Sequence, residues 1–239
     1  MKSLKNYIFF SLLILILSGC MYPQDKLVQN QVPFEHQIES VQQAVDRFRE
    51  ANNGLLPIKT KDMETPIYQK YPVEFNKLIP RFIQEPPGSA FESGGVYLYV
   101  IVDPETNPTV KLFDLTITEK IRDLKLRLDV YRRENGYPPI KEVIDPAYFI
   151  VDYSKLGLKE EPYVVSPFTG NNLPLIINNE VEVFVDYRMD LYQSLNKHEH
   201  NFNEGDDIRS LLVDNSMFVP AYSVPYTINS INEPIFLKK

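Results

Sequence analysis

"ANNGLLPIK" at residues 51–59 and "RENGYPPIK" at residues 133–141 are nearly the same string, and each closes an apolar periodic run. Gly54 and Gly136 stand 82 positions apart, and Pro57 with Pro139 and Lys59 with Lys141 repeat that offset. Before the first string, Ile38, Val41, Val45, Phe48 and Ala51 fall on one helical face. Before the second, Ile121, Leu124, Leu128 and Tyr131 do the same. Asn-Gly stops a helix because glycine takes the left-handed conformation without a Cβ penalty. The proline that follows prevents resumption. The spacing therefore predicts two helices, each handing the chain to extended structure, with Gly54, Pro57, Gly136 and Pro139 as the turn residues. Thr116 and Glu119 fit a capping box at the head of the second helix.

The likeness continues downstream. "YPVEFNKL" (71–78) aligns with "FIVDYSKL" (149–156) at an offset of 78, and "VYLYVIVD" (96–103) aligns with "VEVFVDYR" (181–188) at 85. Three blocks in one order read as a tandem duplication of a helix-then-strands unit over 37–115 and 116–195. Strand following strand implies α+β, with antiparallel sheets and two-layer packing. "VEVFVDYRMDLYQ" (181–193) alternates Val181, Val183, Val185, Tyr187, Met189 and Leu191 against polar neighbours, which predicts one half-buried strand. Tyr97 and Tyr99 lie on a strand that is apolar on both sides, fit to close a core or to present an aromatic row. "PPGSAFESGG" (86–95) reads as a flexible turn before that strand. The remainder, 196–239, offers a polar loop, a short helix at "IRSLLVDN" and a Pro-broken end. It is read as a cap, with a decayed third copy as the alternative.

The first twenty residues bear on location. Lys2 and Lys5 precede the apolar run "IFFSLLILIL" (8–17), which is shorter than a membrane-spanning helix needs. This is the layout of a secretory signal peptide. It ends in Leu17, Ser18, Gly19 and Cys20, which resembles the lipobox of bacterial lipoproteins. The resemblance implies a signal peptide over 1–19, cleavage before Cys20 and acylation of that cysteine; residues 21–36, polar, with Pro23 and Pro33 and no periodicity, read as a tether. The resemblance also places the protein on the extracytoplasmic face of the cell membrane. Two or more acyl chains give stable anchoring where one does not. Cys20 is the only cysteine, so the expected fold rests on its core and not on disulfides. Loss of Lys2 and Lys5 takes the formal charge from −7 to −9, which disfavours nucleic acid and anionic lipid surfaces as partners.

Candidate chemistry is sparse. No Gly-x-Ser-x-Gly and no phosphate-loop spacing occurs. His198 and His200, flanking Glu199, are the best metal candidates, with Asp206 or Asp207 as a distant third ligand and His36 the remaining histidine. A solvated loop is the competing explanation, and no metal and no cofactor is expected. Acidic pairs stand at Asp103/Glu105, Glu160/Glu161 and Asp206/Asp207, and paired carboxylates can hydrolyse glycosides. Arg122, Lys125, Arg127, Arg132 and Arg133 form the outer face of the second helix, either solvated or docking an acidic partner.

"LRLDVYRRENGYPPI" followed by "SPFTGNNLPLI" (166–176) is similar to the soluble part of type II secretion pseudopilins. Tyr131, Asn135, Gly136, Pro138, Pro167, Phe168, Gly170 and Pro174 carry the likeness, which implies a helix, a Gly-Pro exit and a β-meander. Ser166 stands where that family has Asp, an extra residue separates Gly170 from Pro174, and the long N-terminal apolar helix is absent. As a whole the chain resembles the uncharacterised lipoproteins of Bacillus-type bacteria. The expected function is a non-catalytic interaction module of the cell envelope, held by its lipid and meeting an envelope protein. A solute-binding lipoprotein of a transporter and a wall-active hydrolase are the alternatives.

Overall fold

The computed structural model describes residues 34–59 and 61–238, so the expected signal segment, Cys20 and the expected tether up to residue 33 lie outside the described residues. In chain order the elements are α1 (Phe34–Ala51), α2 (Phe75–Leu78), β1 (Tyr97–Val102), β2 (Thr109–Asp114), α3 (Thr116–Asn135), β3 (Ile140–Asp145), β4 (Tyr148–Val151), β5 (Tyr163–Val165), β6 (Asn172–Asn178), β7 (Val183–Val185), α4 (Arg188–Lys197), α5 (Ser210–Asp214), β8 (Tyr226–Ile228) and β9 (Pro234–Phe236). The fold is α+β with antiparallel sheets. Among the described residues no helix is long and apolar enough to cross a membrane.

Both Asn-Gly stops behave as the sequence predicts. Gly54 has φ +87° and donates its N–H to the Arg49 carbonyl at 2.9 Å; Gly136 has φ +83° and donates to Arg132 at 2.8 Å. The two exits also match. The Pro57 carbonyl accepts from Glu74 N and the Pro139 carbonyl from Asp152 N, both at 2.7 Å. Ile58 bridges Val73 as Ile140 pairs with Val151. A single helical turn follows each bridge: α2, and a 3₁₀ turn at Tyr153–Leu156. The third block does not match. Tyr97–Val102 is a six-residue strand, whereas its counterpart keeps only the three residues of β7.

Four local expectations need correction. Helix α1 begins at Phe34, inside the stretch read as a tether through residue 36: the Phe34 ring packs edge-on against Tyr97 at 5.4 Å and Gln37 is buried. Thr116 and Glu119 form no capping box. Asp114 does the work instead, accepting from Thr116 N at 2.8 Å and from its hydroxyl at 2.7 Å. The strand predicted over 181–193 is broken at both ends. Val181 adopts φ +64°, and α4 begins at Arg188. Tyr187, Leu191 and Leu195, at i, i+4 and i+8, are buried, while Met189 is 47% exposed. From Tyr187 onward the helical period replaces the alternation. Residues 86–95 are packed at Ser89, Ala90 and Gly95, while Phe91 to Gly94 stay exposed. Ala90 is fully buried, and Ser89 shares a 2.8 Å hydrogen bond with the Tyr99 phenol. A Cβ on Gly95 would stand 2.1 Å from the Ser89 carbonyl oxygen.

Two hydrophobic cores share one wall. Tyr99, Ile101, Val110 and Leu112 of the β1–β2 hairpin face the core of α1 and α2, while Val100, Val102 and Phe113 face the core of α3 and the five-stranded sheet. That sheet runs β3-β4-β6-β5, with β7 also on β6. The aromatic row at Tyr97 and Tyr99 closes the core. Tyr99 is fully buried, and burial pushes its phenol up to about 12. The C-terminal stretch does more than cap. Leu112 N donates to Met217 O at 2.8 Å and Val219 N to Leu112 O at 2.9 Å, which adds a parallel bridge to the edge of the hairpin.

Candidate functional site

A concavity opens where the first core meets the C-terminal stretch. It encloses about 650 Å³ and has three walls: residues 63–71, the turn at 101–106, and residues 207–214. Each wall has a local cause. Pro66, at φ −52°, starts a 3₁₀ turn at Ile67–Gln69 that sets Tyr68 inward. The chain then runs beside β1, with Ile101 N donating to Tyr71 O at 2.8 Å and Val73 N to Tyr99 O at 2.9 Å. Asp103 takes φ +48°, and its carbonyl accepts from Thr106 N and Asn107 N, a tight turn that lifts Asp103 and Glu105 to the rim.

The third wall is clamped to the first two. Asp207 accepts from Arg209 Nε at 3.0 Å and Nη2 at 2.6 Å, a bidentate pair, and the Arg209 guanidinium lies 5.2 Å from the Tyr68 ring centre. Lys111 Nζ, from β2, donates to the carbonyls of Val213 at 2.7 Å and Ser216 at 2.6 Å at the end of α5. A cation there complements the helix C-terminus, and burial lowers the Lys111 ammonium pKa against the pull of Asp214 and Asp103.

The cleft has an apolar floor and an acidic rim. Tyr68, Tyr71, Ile101 and Val102 line the floor, and Met63 and Ile67 stand on the lip, 88% and 58% exposed. Burial pushes the Tyr68 phenol well up; Arg209 opposes the rise, and Asp207, Asp103 and Asp214 add to it, so three carboxylates bear on one ring. Arg209 matches Asp207, and Lys111 is engaged beneath α5. Asp103, Glu105 and Asp214 share the cleft lining with Lys70 and have no ion-pair partner within 4 Å among the described residues, although Asp214 and Asp103 act on the Lys111 ammonium at longer range.

Of the acidic pairs singled out in the sequence, the structure thus brings Asp103 and Glu105 to the same cleft as Asp207. Asp206 instead accepts from Asn203 N at 2.7 Å, and Glu161 pairs with Lys141 at 2.6 Å. His198 borders a smaller pocket with Asp190, Thr169 and Lys197, whereas His200 stacks on Phe202 at 5.6 Å with its Nε2 3.3 Å from Asn232 Nδ2. His36 lies on α1 beside Glu39 at 3.8 Å. Among the described residues no group of three His, Cys, Asp or Glu side chains is placed to hold a metal ion. On α3, Arg127 pairs with Asp123 and Arg132 with Asp129, so part of the basic face is locally matched. Leu17, Ser18, Gly19 and Cys20 lie outside the described residues.

Sequence reasoning missed Tyr68, Tyr71 and the wall at 207–214 as partners. Their association depends on a contact between residues more than a hundred positions apart, and no local period signals it. It also missed the buried Asp190, whose carboxylate accepts from the hydroxyls of Ser166 and Thr169, each at 2.6 Å. Those hydroxyls hold the 166–170 loop onto α4.

Residues 34–114 match the model of the YphF family N-terminal domain. The matched stretch runs from the first residue of α1 to the last of β2, and so contributes two of the three cleft walls. No curated protein and no solved structure matches the chain.

Proposed function

We propose that this protein is a lipoprotein, anchored to the extracytoplasmic face of the cell membrane through acylated Cys20, and that it is a non-catalytic binding module of the envelope. The cleft between residues 63–71, 101–106 and 207–214 is its binding site. The observation that carries this reading is the construction of the cleft: a void of about 650 Å³ with an aromatic floor, whose third wall is fixed by Arg209 and Lys111. Ligand sites have about this size, mostly apolar with a few placed polar groups. A preorganised wall spares the ordering cost of binding.

The anchor is tested by Cys20→Ser, which should move the protein from the membrane fraction to the soluble one; retention in the membrane would refute it. The binding role is tested by cross-linking in living cells. A protein captured by the native chain should be lost with Thr106→Trp, which fills the cleft from an exposed turn. Equal capture by both would place the contact elsewhere.

The cleft volume also favours a second reading, a solute-binding lipoprotein. The antiparallel sheets count against the two-lobed parallel architecture common in that class. A small-molecule thermal-shift response abolished by Thr106→Trp, without protein capture, would shift the assignment to it. Carboxylates on two walls of one cleft keep wall-polymer hydrolysis as a third reading, tested by release of soluble fragments from purified wall.

A further inference from the structure

The geometry points to a basic peptide segment as the occupant of this cleft: an extended stretch of an envelope partner that sets a Lys or Arg against the acidic rim and an apolar side chain on the floor. This rests on the binding reading above and names the chemistry of the ligand.

Three observations converge on it. Asp103 and Glu105 line the void from the 101–106 turn and Asp214 from the end of α5, none with an ion-pair partner within 4 Å among the described residues, so even with Lys70 on the same lining a ligand's positive group meets more carboxylates than cations. Charge complementarity of this kind selects partners and speeds encounter more than it adds raw affinity. The floor of Tyr71, Ile101 and Val102 is apolar and continues outward onto Met63 and Ile67, 88% and 58% exposed. A compact amine inside the void would leave that lip uncovered, whereas a chain crossing the cleft covers it. Hydroxyls of Thr65, Thr106 and Ser210 are spread along the walls, where a peptide main chain needs donors and acceptors.

The test is titration of the full chain with two synthetic probes, a ten-residue alternating Lys-Leu peptide and its Glu-Leu counterpart, followed by calorimetry and by amide shifts. The Lys-Leu peptide should bind, shift amides at 63–71, 101–106 and 207–214, and weaken as salt is raised. The Glu-Leu peptide should not bind. Joint neutralisation by Asp103→Asn, Glu105→Gln and Asp214→Asn, all on exposed side chains, should weaken Lys-Leu binding about tenfold. Thr106→Trp should abolish it. Equal binding of the two peptides, full affinity in the neutralised variant, tighter binding of spermidine than of the Lys-Leu peptide, or no binding of the Lys-Leu peptide overturns the proposal. If Thr106→Trp still blocks capture in cells in any of these cases, the cleft stands as the binding site and only the cationic peptide falls. Lys-Leu binding that Thr106→Trp leaves intact overturns the cleft as well.

Discussion

Gly54 and Gly136 have φ +87° and +83°, and a Cβ added to either meets nothing within 4 Å. Their cost of substitution is therefore conformational alone. Gly54→Ala and Gly136→Ala should each lower stability by about 1 kcal/mol in denaturant titration. Gly95→Ala should cost more, about 3 kcal/mol, because its Cβ would collide with the Ser89 backbone. Equal losses at all three would contradict this account. The first two glycines were legible in the sequence because Asn-Gly closes an apolar period. Gly95 was not, since its constraint is a close approach rather than a turn. Asp190 carries a pH dependence of definite sign. Burial holds its carboxyl above the ordinary range, and the hydroxyls of Ser166 and Thr169 offset only part of the rise. A native state that holds a proton more tightly than the unfolded chain loses stability as pH climbs from the unfolded value of about 4 through the raised native one. Across that window, the stability of the native chain minus that of Asp190→Asn should fall with rising pH and level off above it. A difference that rises or stays flat would exclude the assignment.

At the scale of elements, one device recurs. Asp186-Tyr187-Arg188 opens α4, and Asp207-Ile208-Arg209 leads into α5. In both, the aspartate accepts from the arginine's own N–H and binds its guanidinium at 3.0 and 2.6 Å. Each guanidinium then stacks on a ring, Arg188 on Phe236 at 4.5 Å and Arg209 on Tyr68 at 5.2 Å. Asp114 plays the same capping part before α3 without the arginine. The pattern explains why the strand expected over 181–193 stops. Asp186 turns the backbone, and Tyr187, Leu191 and Leu195 bury at helical spacing from there. Period two over 181–187 is real in the sequence, but a cap formed by Asp186 interrupts it, and local alternation cannot reveal a cap. Arg209→Met should destabilise the chain by about 2 kcal/mol, since it leaves Asp207 unpaired and removes hydrogen bonds to charge. It should also increase amide exchange at 63–71. Loss of stability with no change at 63–71 would mean that Arg209 does not hold the cleft wall.

For the molecule as a whole, the β1–β2 hairpin is the consequential part. One face belongs to the core of α1 and α2, and the other, with Val100, Val102 and Phe113, to the core of α3 and the larger sheet. A strand apolar on both faces was readable in "VYLYVIV"; that its hairpin joins two cores was not, because the elements packed on it, down to the C-terminal bridge at Phe218, come from far along the chain. Residues 34–114 alone would expose the second face. That fragment should bind a hydrophobic dye and melt without a sharp transition, although the family match ends at its border. Cooperative melting of the isolated fragment would show that the shared wall is dispensable. The repeated strings remain instructive on the same scale. The helix stop, the proline carbonyl bond and the one-turn helix match in both halves, and the correspondence ends at the third block, where β7 is half the length of β1.

The central claim is that the chain meets its partner at the cleft. The most direct measurement is photo-cross-linking in living cells from two single positions: residue 65, inside the cleft, and residue 126, where Leu126 is 63% exposed on α3. The account predicts a specific adduct from residue 65 and none from residue 126. An adduct from residue 126 with none from residue 65 would contradict it.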